Sequence, residues 1–345
     1  MRLLAFASLL ILSSCATPPV NREIDSLMQR YDGPVPGAAL LVLRDGKALV
    51  SRGYGQANLE TREPVTAKTN FRLASVTKQF TAASILLLAE DGKLAIDDPV
   101  RKWLPTLPPE TDAITLRHLL THTSGLVDYE EVMDPADTSQ VVDADVLALL
   151  ERQRRLVFAP GTKWSYSNSG YALLALVVER ASGMRFAQFL QSRIFQPLGM
   201  ANTLAREDGG APVPNRAYGH SFVDGAWVRT DQSTTSAVLG DGGIYSSIAD
   251  LAKWDAALYD DRLLSDASRA LAFAPGTASD DPDVRYGFGW RITGDTLWHS
   301  GESVGFRNVI VRWPKQRFTV VLLSNRDDPE PRQTALAIAR RYGVE

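Results

Sequence analysis

Ser75 and Lys78 stand three residues apart in Ser75-Val76-Thr77-Lys78, at the head of a run that stays apolar on nearly every face as far as Glu90. On a helix this spacing puts both side chains on one face, so the lysine amine reaches the serine hydroxyl. A serine becomes a nucleophile only when a base takes its proton. A desolvated lysine is such a base, or an aid to one, because burial disfavours its charged form. The positive end of the helix dipole also favours negative charge developing at Ser75. This is the only S-x-x-K in the chain. Its bland alternative is a capping serine beside a surface lysine. Tyr166-Ser167-Asn168 is the only Tyr-x-Asn. A tyrosine near a cation has its phenolate favoured and can act as a general base, while Asn168 offers a donor and an acceptor to a substrate amide. The alternative is a helix-capping turn, since Ser167 and Asn168 both cap well. His299-Ser300-Gly301 ends a short strand and leads into Glu302. A backbone N–H on a strand edge beside glycine can point at a carbonyl oxygen and complete an oxyanion hole. His299 is placed to orient Tyr166 or to bind a substrate carboxylate. Read by itself it is a partly buried core histidine.

The elements that must hold these groups follow from patterning. Val20–Arg30 reads as a first amphipathic helix. Ala38–Leu43 and Ala48–Ser51, joined by Asp45-Gly46, read as a β-hairpin. The run Val76–Glu90, apolar all round and stopped by Asp91-Gly92, predicts a buried helix with Ser75 at its N-terminus. The middle of the chain is helical and rich in loops. Its helices are expected at Leu116–His122, Asp145–Gln153, Gly170–Ala181, Phe186–Ile194 and Ile248–Tyr259. Strand patterns return at Tyr286–Thr293, Thr296–His299, Arg307–Trp313 and Arg317–Ser324, and Pro331–Tyr342 closes as a helix. Strands at both ends with helices between predict an α+β fold. Its antiparallel sheet is built from both chain ends, flanked by helices, with a mainly helical lobe inserted. The expected division is a sheet lobe of about 36–105 and 284–345 and a helical lobe of about 106–283, together one domain over 36–345.

Taken together, Ser-x-x-Lys, Tyr-x-Asn and a strand-borne basic residue followed by a small residue and glycine, in that order, resemble the penicillin-recognising serine hydrolases. Within them the chain is similar to the class C β-lactamase-related branch of D-Ala-D-Ala carboxypeptidases, D-aminopeptidases and esterases. Supporting segments are Leu119–Leu126, Phe158–Gly161, Gly240–Ser246 and Tyr286–Trp290. The resemblance implies a β-lactamase/transpeptidase-like fold and a set of roles. Ser75 is the acylated nucleophile. Lys78 and Tyr166 shuttle its proton, Tyr166 activates the deacylating water, and Asn168 orients the substrate. The N–H groups of Ser75 and Glu302, beside Gly301, form the oxyanion hole. It also implies no metal or other cofactor. His299 takes the place of the lysine in the K-T-G motif of true β-lactamases. An obligate cation is thereby exchanged for a side chain mostly neutral near pH 7. The expectation is therefore an esterase or D-amino-acid peptidase acting on small acyl esters or D-amino-acid peptides, with cell-wall peptide as a possible partner. The alternatives are a true β-lactamase, a D-Ala-D-Ala carboxypeptidase, or a penicillin-binding sensor without turnover.

Other signals weigh less. Gly301-Glu302-Ser303-Val304-Gly305 matches G-x-S-x-G, but a nucleophile elbow needs a helix after it, whereas Phe306–Val311 reads as a strand and no histidine follows residue 299. Ser303 is then a loop residue. His118 and His122 are four apart and could share a metal, but no third ligand is evident, and a hydrogen-bonded histidine near a helix end is the simpler reading. Trp164, Trp290 and Trp298 flank the motifs as cleft or core residues. Asp241-Gly242-Gly243 is a turn, placed on the site's rim by the resemblance alone.

Composition bounds the rest. The chain has 345 residues, 45% hydrophobic and 22% charged, with net charge −3, the balance of a globular protein with no basic face for nucleic acid. A single cysteine excludes an intramolecular disulfide and a cysteine-rich zinc module. That cysteine follows Met1-Arg2, an apolar stretch Leu3–Leu12, and Ser13-Ser14. The stretch is too short to span a bilayer, which takes about 20 residues, and reads as a signal peptide. Leu12-Ser13-Ser14-Cys15 resembles a bacterial lipobox. Residues 1–14 are then a lipoprotein signal peptide, Cys15 the lipid attachment point, and 15–35 a tether and first helix. The expected location is the bacterial envelope, anchored in the outer membrane and facing the periplasm. The alternative is a soluble periplasmic protein cut a little later.

Overall fold

The computed structural model describes residues 19–345, so Cys15 and the signal segment lie outside the described residues. Seven strands form the main sheet: β1 Ala38–Arg44, β2 Lys47–Tyr54, β3 Arg285–Tyr286, β4 Arg291–Thr293, β5 Thr296–Ser303, β6 Phe306–Trp313 and β7 Phe318–Ser324. Their order is β3-β4-β5-β6-β7-β1-β2, and every neighbouring pair is antiparallel. The first hairpin of the chain thus docks onto the last, β1 pairing β7 from Ala38↔Ser324 to Arg44↔Phe318. Asp45 and Gly46 both have positive φ (52° and 74°), as a tight turn between right-twisted strands requires.

Alternation along β1 explains the layers. Ala39, Leu41 and Leu43 face a core shared with the inserted helices, whereas Ala38, Leu40 and Val42 face a second core closed by α1 Pro19–Met28 and the C-terminal helix. A strand buried on both faces is a continuous apolar run, which is how this one reads. Below the sheet, α2 Lys78–Glu90 is buried from Lys78 to Leu88. It packs among α3 Asp143–Leu150, α4 Asn168–Ser182 and α5 Ile248–Ala257, and α6 Arg332–Arg341 ends the chain. This is the expected α+β arrangement.

Four local expectations are corrected. Ser75 sits in a 3-10 turn, Ala74–Thr77, ahead of the α-helix rather than in it. The run Tyr286–Thr293 breaks into two short strands around Gly287-Phe288-Gly289. Gly289 has φ +75°, and a Cβ there would stand 2.7 Å from the Lys78 carbonyl oxygen. β5 continues four residues beyond His299, so Ser303 ends a strand rather than lying in a loop. The middle of the chain also holds an unexpected hairpin, His220–Val223 with Ala226–Arg229, turned at Asp224-Gly225.

Candidate active site

The turn that carries Ser75 is held from two sides. Leu73 N–H donates to the Ile244 carbonyl at 2.8 Å, and β5 crosses so closely that a Cβ on Gly301 would meet the Leu73 carbonyl oxygen at 2.0 Å. Ala74, immediately before Ser75, has φ +49°, a conformation that non-glycine residues adopt only when their surroundings impose it. Lys78 is wholly buried beneath Ser75. Its ammonium donates to Ser75 Oγ at 3.1 Å, to Asn168 Oδ1 at 2.9 Å and to the Asp241 carbonyl at 3.0 Å. All three of its protons are therefore used, and they tie three distant segments to one point.

Tyr166 and Asn168 lie where α4 begins. Ser167 caps the helix, accepting from Gly170 N–H, and Asn168 N–H donates to Asp128 Oδ2 at 2.6 Å. The Lys78 ammonium is 4.9 Å from the centre of the Tyr166 ring, and the Arg291 guanidinium is 5.7 Å from it. β4 pairs β5 only from Thr296 to Trp298, so beyond Trp298 the edge of β5 runs on toward Ser75 without that neighbour. The resulting cleft, about 60 Å³, is lined by Arg72, Ser75, Tyr129, Glu130, Asn168, Thr235, Asp241, Glu302 and Ser303. Ser75, Lys78, Tyr166, Asn168, Gly301 and Glu302 are thus drawn together from separate parts of the chain.

His299 stands one layer behind. It is buried, its Nε2 pairs with the Tyr286 hydroxyl at 2.9 Å, and its Nδ1 pairs with the Ser300 carbonyl at 2.6 Å. A carbonyl only accepts, so Nδ1 carries the proton and Nε2 accepts from Tyr286. Burial, reinforced by the Arg291 charge, pushes its pKa down to about 3. Both ring nitrogens are occupied and the ring is neutral. Neither ring nitrogen is left free for a substrate carboxylate, whose binding was one of its two expected roles. Its ring centre lies 6.3 Å from that of Tyr166, and its hydrogen bonds go elsewhere.

The profile of the Beta-lactamase family matches residues 20–345. The chain belongs to the Beta-lactamase family. It is 34% identical to a penicillin-binding protein of Bacillus subtilis over 88% of this chain and 71% of that one. It is 32% identical to a D-aminopeptidase of Gluconobacter oxydans over 94% of this chain and 62% of that one. It is 40% identical to an esterase of Burkholderia gladioli over 48% of this chain and 45% of that one. The chain thus spans about two thirds of the first two relatives and less than half of the third. The solved structure of an octameric penicillin-binding protein homologue from Pyrococcus abyssi superposes with a TM-score of 0.84 at 27% identity, covering 94% of this chain and 77% of that one. The fold is of the penicillin-binding protein/β-lactamase type, and the chain is a serine hydrolase of that family.

Within this Beta-lactamase-family site, several groups carry no motif and escaped the sequence reading. Glu130 and Arg72 line the cleft, and Asp128 anchors Asn168. Asp241 is buried and accepts from Tyr129 O–H at 3.0 Å. Burial pushes its carboxyl up to about 7, against the pull of Lys78. Asp143 is also buried and pushed up to about 7 by burial. It accepts from Leu239 N–H (2.9 Å) and Gly240 N–H (3.0 Å), which fixes the turn that presents the Asp241 carbonyl to Lys78. Asp241 was marked in the sequence only through Asp241-Gly242-Gly243, read as a turn, and Asp143 carried no signal. His118 and His122 are engaged separately. His118 Nδ1 accepts from Thr115 N–H, and His122 turns inward to Tyr166. Trp290 and Trp298 are core residues, whereas Trp164 stacks edge-on to His122.

Proposed function

We propose that Ser75 forms an acyl-enzyme with small esters and with amides of D-amino acids. The reading is carried by the Lys78 ammonium, which joins Ser75 Oγ, Asn168 Oδ1 and the Asp241 carbonyl within 3.1 Å. In acylation, Ser75 Oγ attacks the substrate carbonyl and its proton passes to Tyr166, which reacts as the phenolate beside the Lys78 ammonium and delivers the proton to the departing alcohol or amine. In deacylation, water attacks the ester carbonyl, Tyr166 takes its proton, and the Ser75–acyl bond breaks with the proton returned to Oγ. The N–H groups of Ser75 and Glu302 receive the negative oxygen in both steps, and Asn168 holds the substrate amide.

The charges around the cleft support this substrate class over β-lactams. Glu130 and Glu302 line it, His299 is buried and neutral, and the Arg72 guanidinium donates to the Ser236 carbonyl. These acids repel a substrate's free carboxylate, leave a neutral ester unaffected and attract a free ammonium group. The purified protein and Ser75→Ala are to be compared on p-nitrophenyl acetate, a D-amino-acid p-nitroanilide, a D-Ala-D-Ala peptide and a chromogenic cephalosporin. Turnover of the first two, abolished in Ser75→Ala, is expected. Activity surviving in Ser75→Ala, or the cephalosporin as the best substrate, overturns the reading.

The envelope location rests on the sequence around Cys15, with three residues between it and Pro19, the first residue of α1. No helix among the described residues is long and apolar enough to cross a membrane. Mass spectrometry of the native N-terminus should give an acylated Cys15, and an unmodified cysteine or a later cut removes the proposal.

A further inference from the structure

His122 makes contacts on both sides of Tyr166 in the chain and against its ring. Its carbonyl accepts from Ser165 N–H at 2.9 Å, and its Nδ1 accepts from Ser167 N–H at 3.1 Å. Its ring stacks on the Tyr166 ring with centres 4.4 Å apart, and the rings of Tyr286 and Tyr171 close around it at 4.5 and 5.1 Å. One residue thus fixes the backbone before Tyr166, the backbone after it and the plane of its ring.

The cost of this arrangement is visible in the local structure. His122 has φ +58°, the left-handed conformation that ends the helix Leu116–Leu120 and turns its side chain inward. The turn is held by the Thr121–Thr123 hydroxyl pair at 2.9 Å and by Gly161 N–H donating to the Thr123 carbonyl at 2.8 Å. The ring is 1% exposed, and its Nε2 has no hydrogen-bond partner among the described residues. Because Nδ1 accepts, the proton of the neutral ring is on Nε2, where it faces other rings. Burial, with Lys78, His299 and Arg291 nearby, holds the ring well below the usual imidazole range. The left-handed backbone belongs to the C-terminal cap of the helix Leu116–Leu120, where Thr123 N–H donates to the His118 carbonyl at 2.9 Å and His122 N–H to the Leu119 carbonyl at 3.4 Å. The buried unpartnered Nε2–H is unfavourable and no part of that cap. What the buried ring achieves is the fixed placement of Tyr166.

We propose that His122 is the positioning residue of Tyr166, acting as a neutral Nε2–H imidazole that aligns the phenol for proton transfer without touching substrate. The inference rests on the reading of Tyr166 as the proton-transfer group. Displacing a catalytic group by about an ångström costs on the order of 100-fold in rate, so the role is measurable.

The test compares His122→Asn, His122→Phe, Tyr166→Phe and the double variant His122→Phe/Tyr166→Phe on p-nitrophenyl acetate. Asparagine tolerates the left-handed backbone and its Oδ1 falls near the position of Nδ1, so it keeps the bond from Ser167. Phenylalanine keeps the stacked ring and loses the acceptor. The expected result is kcat within about threefold of wild type for His122→Asn. His122→Phe should lower kcat by about 100-fold with KM within twofold. In the Tyr166→Phe background, His122→Phe should have no further effect. If His122→Phe does not fold, as judged by thermal melting, His122→Gln takes its place in the same cycle. Equal and multiplying losses in the two backgrounds, or a wild-type kcat in His122→Phe, overturn the inference alone. A wild-type rate in Tyr166→Phe overturns the reading of Tyr166 and the inference with it.

Discussion

His299 has its Nδ1 and Nε2 committed to Ser300 and Tyr286, and that commitment has a thermodynamic signature. The folded state holds the ring neutral, with a pKa near 3, whereas the unfolded chain releases it to the ordinary value near 6.5. A depressed folded pKa contributes stability that is complete above about pH 6.5 and lost as pH falls toward 3. At pH 4.5 the loss from this residue is about 3 kcal/mol. Asp143 and Asp241 act in the opposite sense. Their folded pKa values are raised, so their contribution is complete below about pH 4 and lost as pH rises toward 7. Comparing His299→Gln with the wild type separates the histidine from the carboxyls. The melting temperature at pH 4.5, relative to that at pH 7.5, should be several degrees higher in the variant than in the wild type. An unchanged difference would mean that the imidazole is not held neutral by burial.

Gly301 shows how an element places a site. β5 can run past Ser75 only because residue 301 has no side chain, since a Cβ would overlap the Leu73 carbonyl oxygen and touch Val76. Gly301→Ala should therefore push β5 away from the 3-10 turn and widen the gap between the Ser75 and Glu302 N–H groups. The expected result is a fall in kcat of about 100-fold, with a loss of stability of about 1–3 kcal/mol read from urea unfolding. An alanine variant with wild-type kcat would show that the close approach does not set the reaction geometry. The elements behind this crossing were legible where a period was uninterrupted. The Asp45-Gly46 hairpin, the all-round apolar run of α2, and β6 and β7 could be read because each repeats one pattern over seven residues or more. The β3–β4 segment was not, because Gly289 bends it to accommodate the Lys78 carbonyl, a contact 211 positions away in sequence that no local pattern records. The hairpin at 220–229 was lost for a different reason. Phe222, Val223 and Val228 are exposed, so it lacks the buried alternation that marks a strand. Within the site, Ser75, Lys78, Tyr166, Asn168 and Gly301 lie in compact motifs. Glu130 and Asp143 are brought in by folding partners far along the chain and carry no such mark, and His122 was marked only as part of Leu119–Leu126 and of the His118/His122 pair.

The whole molecule is held together by joining its two chain ends to its helical interior, and the buried pair of Arg312 and Asp255 sits on that join. Arg312, on β6, donates from Nε to Asp255 Oδ1 at 2.6 Å, and Thr319 on β7 donates to the same oxygen at 2.8 Å. Asp255 belongs to α5, so the contact fastens the inserted helices to the C-terminal strands. The two side chains are only 1% and 3% exposed. The guanidinium lies 4.6 Å from the Tyr259 ring centre and 5.7 Å from that of Trp290, an environment that gives an unpaired charge little to replace water. Desolvation of two charges takes back most of what their attraction supplies, so the pair's net contribution is small while the penalty for breaking it is large. Asp255→Ala should destabilise the protein by about 3–5 kcal/mol, because it leaves Arg312 charged and unpaired. Arg312→Met combined with Asp255→Leu removes both charges and keeps apolar volume, so it should recover most of that loss. Urea midpoints of the wild type, the single variant and the double variant, compared at constant denaturant slope, measure this directly. A double variant no more stable than Asp255→Ala would mean that the ion pair itself, rather than apolar packing around it, fastens the helices to the sheet.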